Sequence, residues 1–402
     1  MKNPKTFREN SDQVGYILEV DLIYPQDLHD MHTDMPLAPE HISITKSQIC
    51  PLMKAKFPYG ETYNSKKLVG TLNDKKRYIL HYQALKLYLS LGLKVQRLHR
   101  VLSFNQRPFM QGYIQHIAKL RSLSNSDFEK NCLKKLANSN YGKMIEDVRK
   151  HMEVKICQTR QSFLRATSSP LFVNFKIFNE NLVLCFLKKK SIFQKSCHAI
   201  GLSILDLSKL HMYDLYYNEI IPSTRLSPLN GSLSIIMSDT DSFLFAFSGK
   251  EKLEFLSDIE HIMDFSNYPK EHALFSTKRA GQLGYLKDEM KGVSEIEGAI
   301  ALKSKCYCIK SKNTISKCKG IPKVATNKLK FKHYKNALLH SKTLKSEFSK
   351  ITSKEHKVST SAVIRKSLTG YDDKRYYLCD IHSLPYGHYK INKENPKCSC
   401  NH

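Results

Sequence analysis

Long hydrophobic runs are missing from this chain of 402 residues. No stretch reaches the roughly 18 apolar residues that a membrane span needs, which speaks against membrane insertion. The N-terminal MKNPKTFREN lacks the apolar stretch of a secretory signal. The 11 cysteines show no disulfide-like rhythm, so a reducing, intracellular compartment is expected. No internal repeat is present. Acids are scarce: 37 Asp and Glu face 64 Lys and Arg, a net charge of +27. Such an excess points to a polyanionic partner, nucleic acid before others, with a generic solvated surface as the alternative. Residues 301–402 hold 23 Lys and Arg against 6 Asp and Glu, a net of +17, so the last quarter carries most of the excess. What is abundant is core material. Tyr (21) and Phe (19) together argue against a disordered chain, and the length suggests two or three domains.

Residues 14–23, VGYILEVDLI, read as a strand ended by Tyr24-Pro25. A helix is predicted from Asn73, with Tyr78, Tyr82, Leu85 and Leu89 at helical spacing and Gly92 closing it. Residues 94–104 read as a strand, and Pro108 opens a helix through about Arg121. Ser126-Asp127-Phe128-Glu129 has capping-box spacing and starts a third helix that runs to Gly142. Residues 150–200 suggest hairpins, residues 201–217 a helix, and the lysine-rich region beyond 310 a folded one.

Residues 233–247 read as two apolar runs around Ser238-Asp239-Thr240-Asp241-Ser242, a β-hairpin signal. Two acids this close raise each other's proton affinity unless a cation neutralises them, and Mg²⁺ takes carboxylates together with substrate phosphates. An Asp-rich turn is the plain alternative. Glu19 and Asp21, two apart on the first strand, share a face in the same way. On the helix from Asp127, Lys130, Lys134, Asn138 and Tyr141 form one stripe, with Phe128, Cys132 and Leu136 opposite. Lysines there could hold a triphosphate and Tyr141 could stack on a base; the plain alternative is a solvated face. Asp206, Ser208 and Lys209 read as helix surface. Cys306 and Cys308 read as structural. Cys398, Cys400 and His402 offer only three candidate zinc ligands at the C-terminus, one short of a closed structural site.

At these residues the chain resembles family B DNA polymerases. Lys134 to Gly142, KKLANSNYG, is similar to the KxxxNSxYG motif of the fingers helix. Ser238–Ser242 is similar to the YxDTDS motif of the palm, with Met237 where Tyr is usual. Val20–Pro25 resembles the end of the DxxSLYP motif, and Lys305-Cys306-Tyr307 the later KxY motif. Together they run from 19 to 307 in the family's order. The protein-primed branch is most similar, particularly polinton (Maverick), organellar and viral types. The phrases ILEVDLIYPQDLHD and Pro385-Tyr386-Gly387-His388-Tyr389 resemble that branch.

The resemblance implies an α+β, right-hand fold with a discontinuous palm, helical fingers and a basic thumb. Residues 1–30 would be the first part of the palm, 31–108 an insertion resembling a terminal-protein region, and 109–142 the fingers. Residues 143–200 would be a second insertion, 201–310 the second part of the palm, and 311–402 the thumb. It implies template-directed addition of deoxynucleotides to a DNA 3′ end with two Mg²⁺ ions, Mn²⁺ being able to substitute, in replication of a mobile or viral-like element. Asp241 and one first-strand acid would bridge the metals. Motif spacing favours Glu19 and residue identity favours Asp21. Asp239 would assist. Lys130 and Lys134 would grip the incoming phosphates, and Asn138 and Tyr141 would line the nascent pair. Gly142, Lys305 and Tyr307 would contact DNA, and Tyr24 would be the steric gate under the sugar. The expected partners are primer-template DNA, dNTPs and a terminal protein, at a nuclear or element-replication site. Only 18 residues precede Glu19, so a family-type proofreading domain is not expected in this chain. The rival readings are an inactive relic or fragment that still binds DNA, a reverse transcriptase-like enzyme, and a plain basic DNA-binding protein.

Overall fold

The computed structural model describes residues 13–58, 65–194, 197–225, 232–249, 251–293, 295–354, 356–392 and 398. It is a mixture of helices and antiparallel sheets. In chain order the elements begin with β1 (Val14–Ile23), β2 (Glu40–Ile42), α1 (Pro51–Lys56), β3 (Lys67–Val69), β4 (Lys75–His81), α2 (Tyr82–Ser90) and β5 (Lys94–Asn105). Next come α3 (Gln111–Leu123), α4 (Asp127–Met144), β6 (Met152–Cys157), α5 (Arg160–Thr167), β7 (Phe172–Asn179) and β8 (Leu182–Lys188). They are followed by α6 (His198–Asp214), a π-helical turn (Leu215–Ile220), α7 (Ile221–Arg225), β9 (Leu233–Ser238), β10 (Phe243–Phe247) and α8 (Lys252–Asp258). The last stretch holds β11 (Gly298–Lys303), β12 (Cys306–Lys310), β13 (Ile315–Cys318), α9 (Lys323–Thr326), α10 (Phe331–Leu339), β14 (Leu344–Lys354), β15 (Lys357–Leu368), β16 (Tyr376–Tyr377) and β17 (Ser383–Leu384). Among the described residues no helix is long and apolar enough to cross a membrane.

Contacts divide the chain into two units. The first comprises Met1–Gln106, Leu205–Lys350 and Ser361–His402, and the second Arg107–Ile204 and Ile351–Thr360. In the first unit β1 is the middle strand of a sheet ordered β4-β1-β5. The predicted helix from Asn73 is therefore only half right. Residues 75–81 pair with β1, Leu80 opposite Leu18, and the helix starts at Tyr82. Pairing with β1 and burial of Leu80 override the helical spacing of Tyr78 and Tyr82. Val20, Leu22, Leu80, Leu87 and Tyr213 form a core under this sheet, and Phe243 and Phe245 of β10 pack against it. The π-helical turn after α6 brings Tyr216 onto Phe245, their rings stacked at 6.4 Å, an example of a π turn changing where side chains aim. A second sheet, β11-β12-β13, buries Cys306, Cys308 and Leu302 against Tyr334 of α10. The described residues beyond 310 are folded, as the sequence predicts.

The second unit has a three-stranded sheet ordered β6-β8-β7, with α5 packing Ala166 near Cys157 and Cys185. Of the hairpins expected over 150–200 one is there, β7–β8; β6 pairs with β8 across α5, a helix that the alternating runs did not indicate. Its other helices are α3 and α4. Ser126 caps α4 as its spacing predicts, accepting the Glu129 N–H. The apolar stripe is a different matter. Phe128 is 78% exposed, and Cys132 and Leu136 are exposed too, so Phe128, Cys132 and Leu136 do not face a core.

Candidate active site

Glu19 and Asp21 lie on β1, and both meet Arg77, Glu19 through its side chain and Asp21 through its backbone N–H. Glu19 is 6% exposed. The Arg100 guanidinium of β5 hydrogen-bonds its carboxylate, and Arg77 Nε stands 3.5 Å away. The Arg100 hydrogen bond holds the Glu19 carboxyl below its usual range, against the effect of burial. Asp21 accepts the Arg77 backbone N–H at 2.7 Å, and His99 Nε2 stands 2.9 Å from it. The Arg77 amide and then His99 keep its carboxyl low as well. Register shifts on both sides of β1 fall between Glu19 and Leu22, where an irregular ladder re-aims side chains.

The other two acids sit in the β9–β10 turn. Ser238 pairs with Phe243, which leaves Asp239–Ser242 as a four-residue loop. The Asp239 N–H donates to the Ser242 carbonyl at 3.0 Å, and the Asp241 N–H to the Asp239 carbonyl at 2.7 Å. Thr240 between them takes a φ of 63°, a left-handed conformation that a β-branched residue rarely adopts. Asp239 is buried and Asp241 exposed. Lys305 Nζ lies 2.8 Å from Asp239 Oδ1 and Lys317 Nζ 3.3 Å from Oδ2. Burial pushes the Asp239 carboxyl up, but the two lysines outweigh it and hold it below its usual range. Lys305 is in the β11–β12 turn with a φ of 60°, and Lys317 is on β13. Two segments singled out separately in the sequence, the DTD turn and the KxY turn, thus meet in an ion pair.

The remaining candidates divide. Tyr307 is buried on β12, with Lys317 Nζ 5.6 Å from its ring centre. Tyr24 is 5% exposed and belongs to the core under the sheet. Its hydroxyl is 2.8 Å from His32 Nδ1 and accepts the Leu37 N–H at 3.2 Å, and burial pushes its phenol far above the usual value. In the second unit, α4 carries Lys134, Asn138 and Gly142 exposed and Lys130 and Tyr141 half-buried. An added Cβ at Gly142 would meet nothing within 4 Å.

The four acids offer the hard carboxylate oxygens that Mg²⁺ takes, and the Arg100 contact of Glu19, the Arg77 amide on Asp21 and the two lysines beside Asp239 hold those three carboxyls below their usual range, which favours the ionised state a ligand needs. The donor chemistry fits a divalent cation. Among the described residues, however, they do not form a group of three ligand atoms within 4.8 Å of one another; basic side chains stand against three of the four. Arg77, His99, Arg100 and Lys317 were not singled out in the sequence. The run Gln96-Arg97-Leu98-His99-Arg100 of β5 hints at a basic strand, but nothing in it says which acid it meets. Asp206, read as surface, is buried and accepts the His81 N–H at 2.8 Å.

No protein-family model and no curated protein matches the sequence. Among solved structures, the chain is similar to "Phi29 DNA polymerase complexed with primer-template DNA and incoming nucleotide substrates (ternary complex)", with a TM-score of 0.49 and 13% identity. The match covers 90% of this chain and 52% of that one, so this chain spans about half the length of that polymerase. At this identity and score the similarity assigns neither family nor activity.

Proposed function

We propose that this chain is a template-directed DNA polymerase that adds deoxynucleotides to a DNA 3′ end in replication of a mobile or viral-like DNA element. The observation that carries the reading is the ion pair between Lys305 and Asp239. It joins two motifs of the family B pattern that lie 66 positions apart. The hairpin that carries Asp239 and Asp241 also packs on the core of the strand that carries Glu19 and Asp21.

In this reading Asp241 and one of Glu19 and Asp21 hold Mg²⁺, for which Mn²⁺ substitutes, with Asp239 assisting. Bound there, the metal supplies activation of the primer hydroxyl and neutralisation of the leaving pyrophosphate. Lys130 and Lys134 grip the triphosphate as point charges. Asn138 and Tyr141 line the nascent pair, and Tyr24 excludes a 2′-hydroxyl from beneath the sugar. Gly142, Lys305 and Tyr307 hold DNA, and the basic 311–402 region contacts duplex phosphates without reading sequence. A terminal protein is the proposed primer, with 31–108 as the region that receives it.

The test is primer extension with Mg²⁺ and four dNTPs, the chain beside Asp241→Asn. The expected result is extension by the chain and a loss on the order of 10³-fold or more in the variant, the effect of removing several kcal/mol of metal-borne stabilisation. DNA binding without extension would overturn the polymerase reading. It would leave the second one, an inactive DNA-binding relic, which is favoured by the basic partners that stand against Glu19, Asp21 and Asp239.

A further inference from the structure

Away from the acids, Cys379, His382 and Cys398 each bring a ligand atom within 4.8 Å of the others. We propose that these three residues form a structural Zn²⁺ site that ties Cys398 to the β16–β17 hairpin. The site is built by the turn of that hairpin. Tyr376 pairs with Leu384 and Tyr377 with Ser383, and the Leu378 N–H closes the turn on the His382 carbonyl at 2.9 Å. Cys379 and His382 therefore stand at its tip with C-x₂-H spacing, the separation at which metal knuckles supply two ligands from one turn.

Cys379 Sγ accepts two backbone N–H groups, from Ile381 at 3.4 Å and from His382 at 3.2 Å. His382 Nδ1 lies 3.3 Å from Cys379 Sγ and 3.2 Å from Cys398 Sγ. Around one tetrahedral zinc, bonds of about 2.3 Å to sulfur and about 2.0 Å to nitrogen place such atoms about 3.5 Å apart. Both nitrogen–sulfur separations thus stand within a few tenths of an ångström of that distance, and the two sulfurs lie within 4.8 Å of each other. Two sulfurs and an imidazole are a soft set that selects zinc over magnesium, so this site and the carboxylates take different ions.

The hairpin is itself anchored. Tyr377 donates its hydroxyl to Asp372 at 2.8 Å, Tyr376 and Tyr377 pack on the cluster of Ile49, Met53 and Tyr386, and Asp380, between the two ligands of the turn, pairs with Lys56 of α1. A metal bound here ties Cys398 to an element already held in the first unit, and its binding energy stabilises that tie. Cys400 and His402, which follow two and four positions later, lie outside the described residues.

The test uses the full chain, purified in reductant without chelator, with zinc counted by mass spectrometry. One zinc per chain is expected, and loss of it in the Cys379→Ser, Cys398→Ser double variant. His382→Cys, which keeps a ligand in place, should retain zinc where His382→Phe does not, and this comparison stands even if the double variant folds poorly. Co²⁺ added to the chelator-stripped chain should give the visible absorption of tetrahedral thiolate cobalt. A zinc-free chain with no cobalt spectrum would overturn the proposal, as would equal zinc in the double variant or a Cys379–Cys398 disulfide in the reduced preparation. None of these readouts depends on polymerase activity.

Discussion

Tyr24 shows how a single residue can carry two demands. Its place before Pro25 marks it as a sugar-facing residue by resemblance, yet its ring is in the core and its hydroxyl serves both His32 and the Leu37 N–H. Tyr24→Phe removes the acceptor of a buried N–H, so a loss of about 1–3 kcal/mol is expected, read by urea denaturation. An unchanged midpoint would mean that these bonds contribute nothing. Tyr24→Val tests the other demand. Ribonucleotide incorporation should rise, and unchanged selectivity removes Tyr24 as the gate. Asp206 makes the same point from the opposite side. Its spacing on a polar helix face suggested solvent, but the His81 N–H at the junction of β4 and α2 draws it inward.

At the scale of elements, the phrases at 17–30 and 385–389 meet in space. Tyr389 donates its hydroxyl to Asp30 at 2.8 Å and its N–H to His29 Nδ1 at 3.1 Å, and the Leu72 N–H donates to the Tyr386 carbonyl at 2.8 Å. Gly387 lies in this joint with a φ of 87°, where an added Cβ would come 2.3 Å from Asn73 Oδ1. Gly387→Ala should therefore cost roughly 1–3 kcal/mol from strain and crowding. A thermal midpoint equal to that of the parent would contradict this packing. The joint should also respond to acid. Burial holds both His32 and His388 down to about 4, from an ordinary 6.5. Between those values the unfolded chain binds protons that the folded chain refuses. Stability should then fall as pH drops through the window and level off below about 4. A melting series across that range checks it: the parent should lose stability more steeply than the His32→Gln, His388→Gln double variant, and equal slopes would refute it.

For the whole molecule, the net charge of +27 dominates any encounter with DNA. If the basic surface neutralises 6–10 phosphates, affinity should fall by about 10³-fold or more between 50 and 200 mM salt. Fluorescence anisotropy with a labelled duplex measures this, and a flat profile would remove the phosphate-gripping reading of 311–402. The candidate residues also divide between the two units. The four acids, Tyr24, Lys305 and Tyr307 belong to the first, and Lys130, Lys134, Asn138, Tyr141 and Gly142 to the second.

Local physics was enough for β1, for the β9–β10 hairpin and for the Ser126 cap of α4, because period-2 burial, turn chemistry and capping are written in neighbouring residues. It was enough to mark Glu19, Asp21, Asp239 and Asp241 as unusual acids. It could not place residues 75–81 in a strand, since their partner is β1, more than 50 positions earlier. Nor could it say that Arg100 meets Glu19, that Lys305 meets Asp239, or that Cys379 and His382 meet Cys398. Those meetings are set by sheet register and by where turns land once distant segments pack, and a side chain's partners across such distances are properties of the tertiary structure alone.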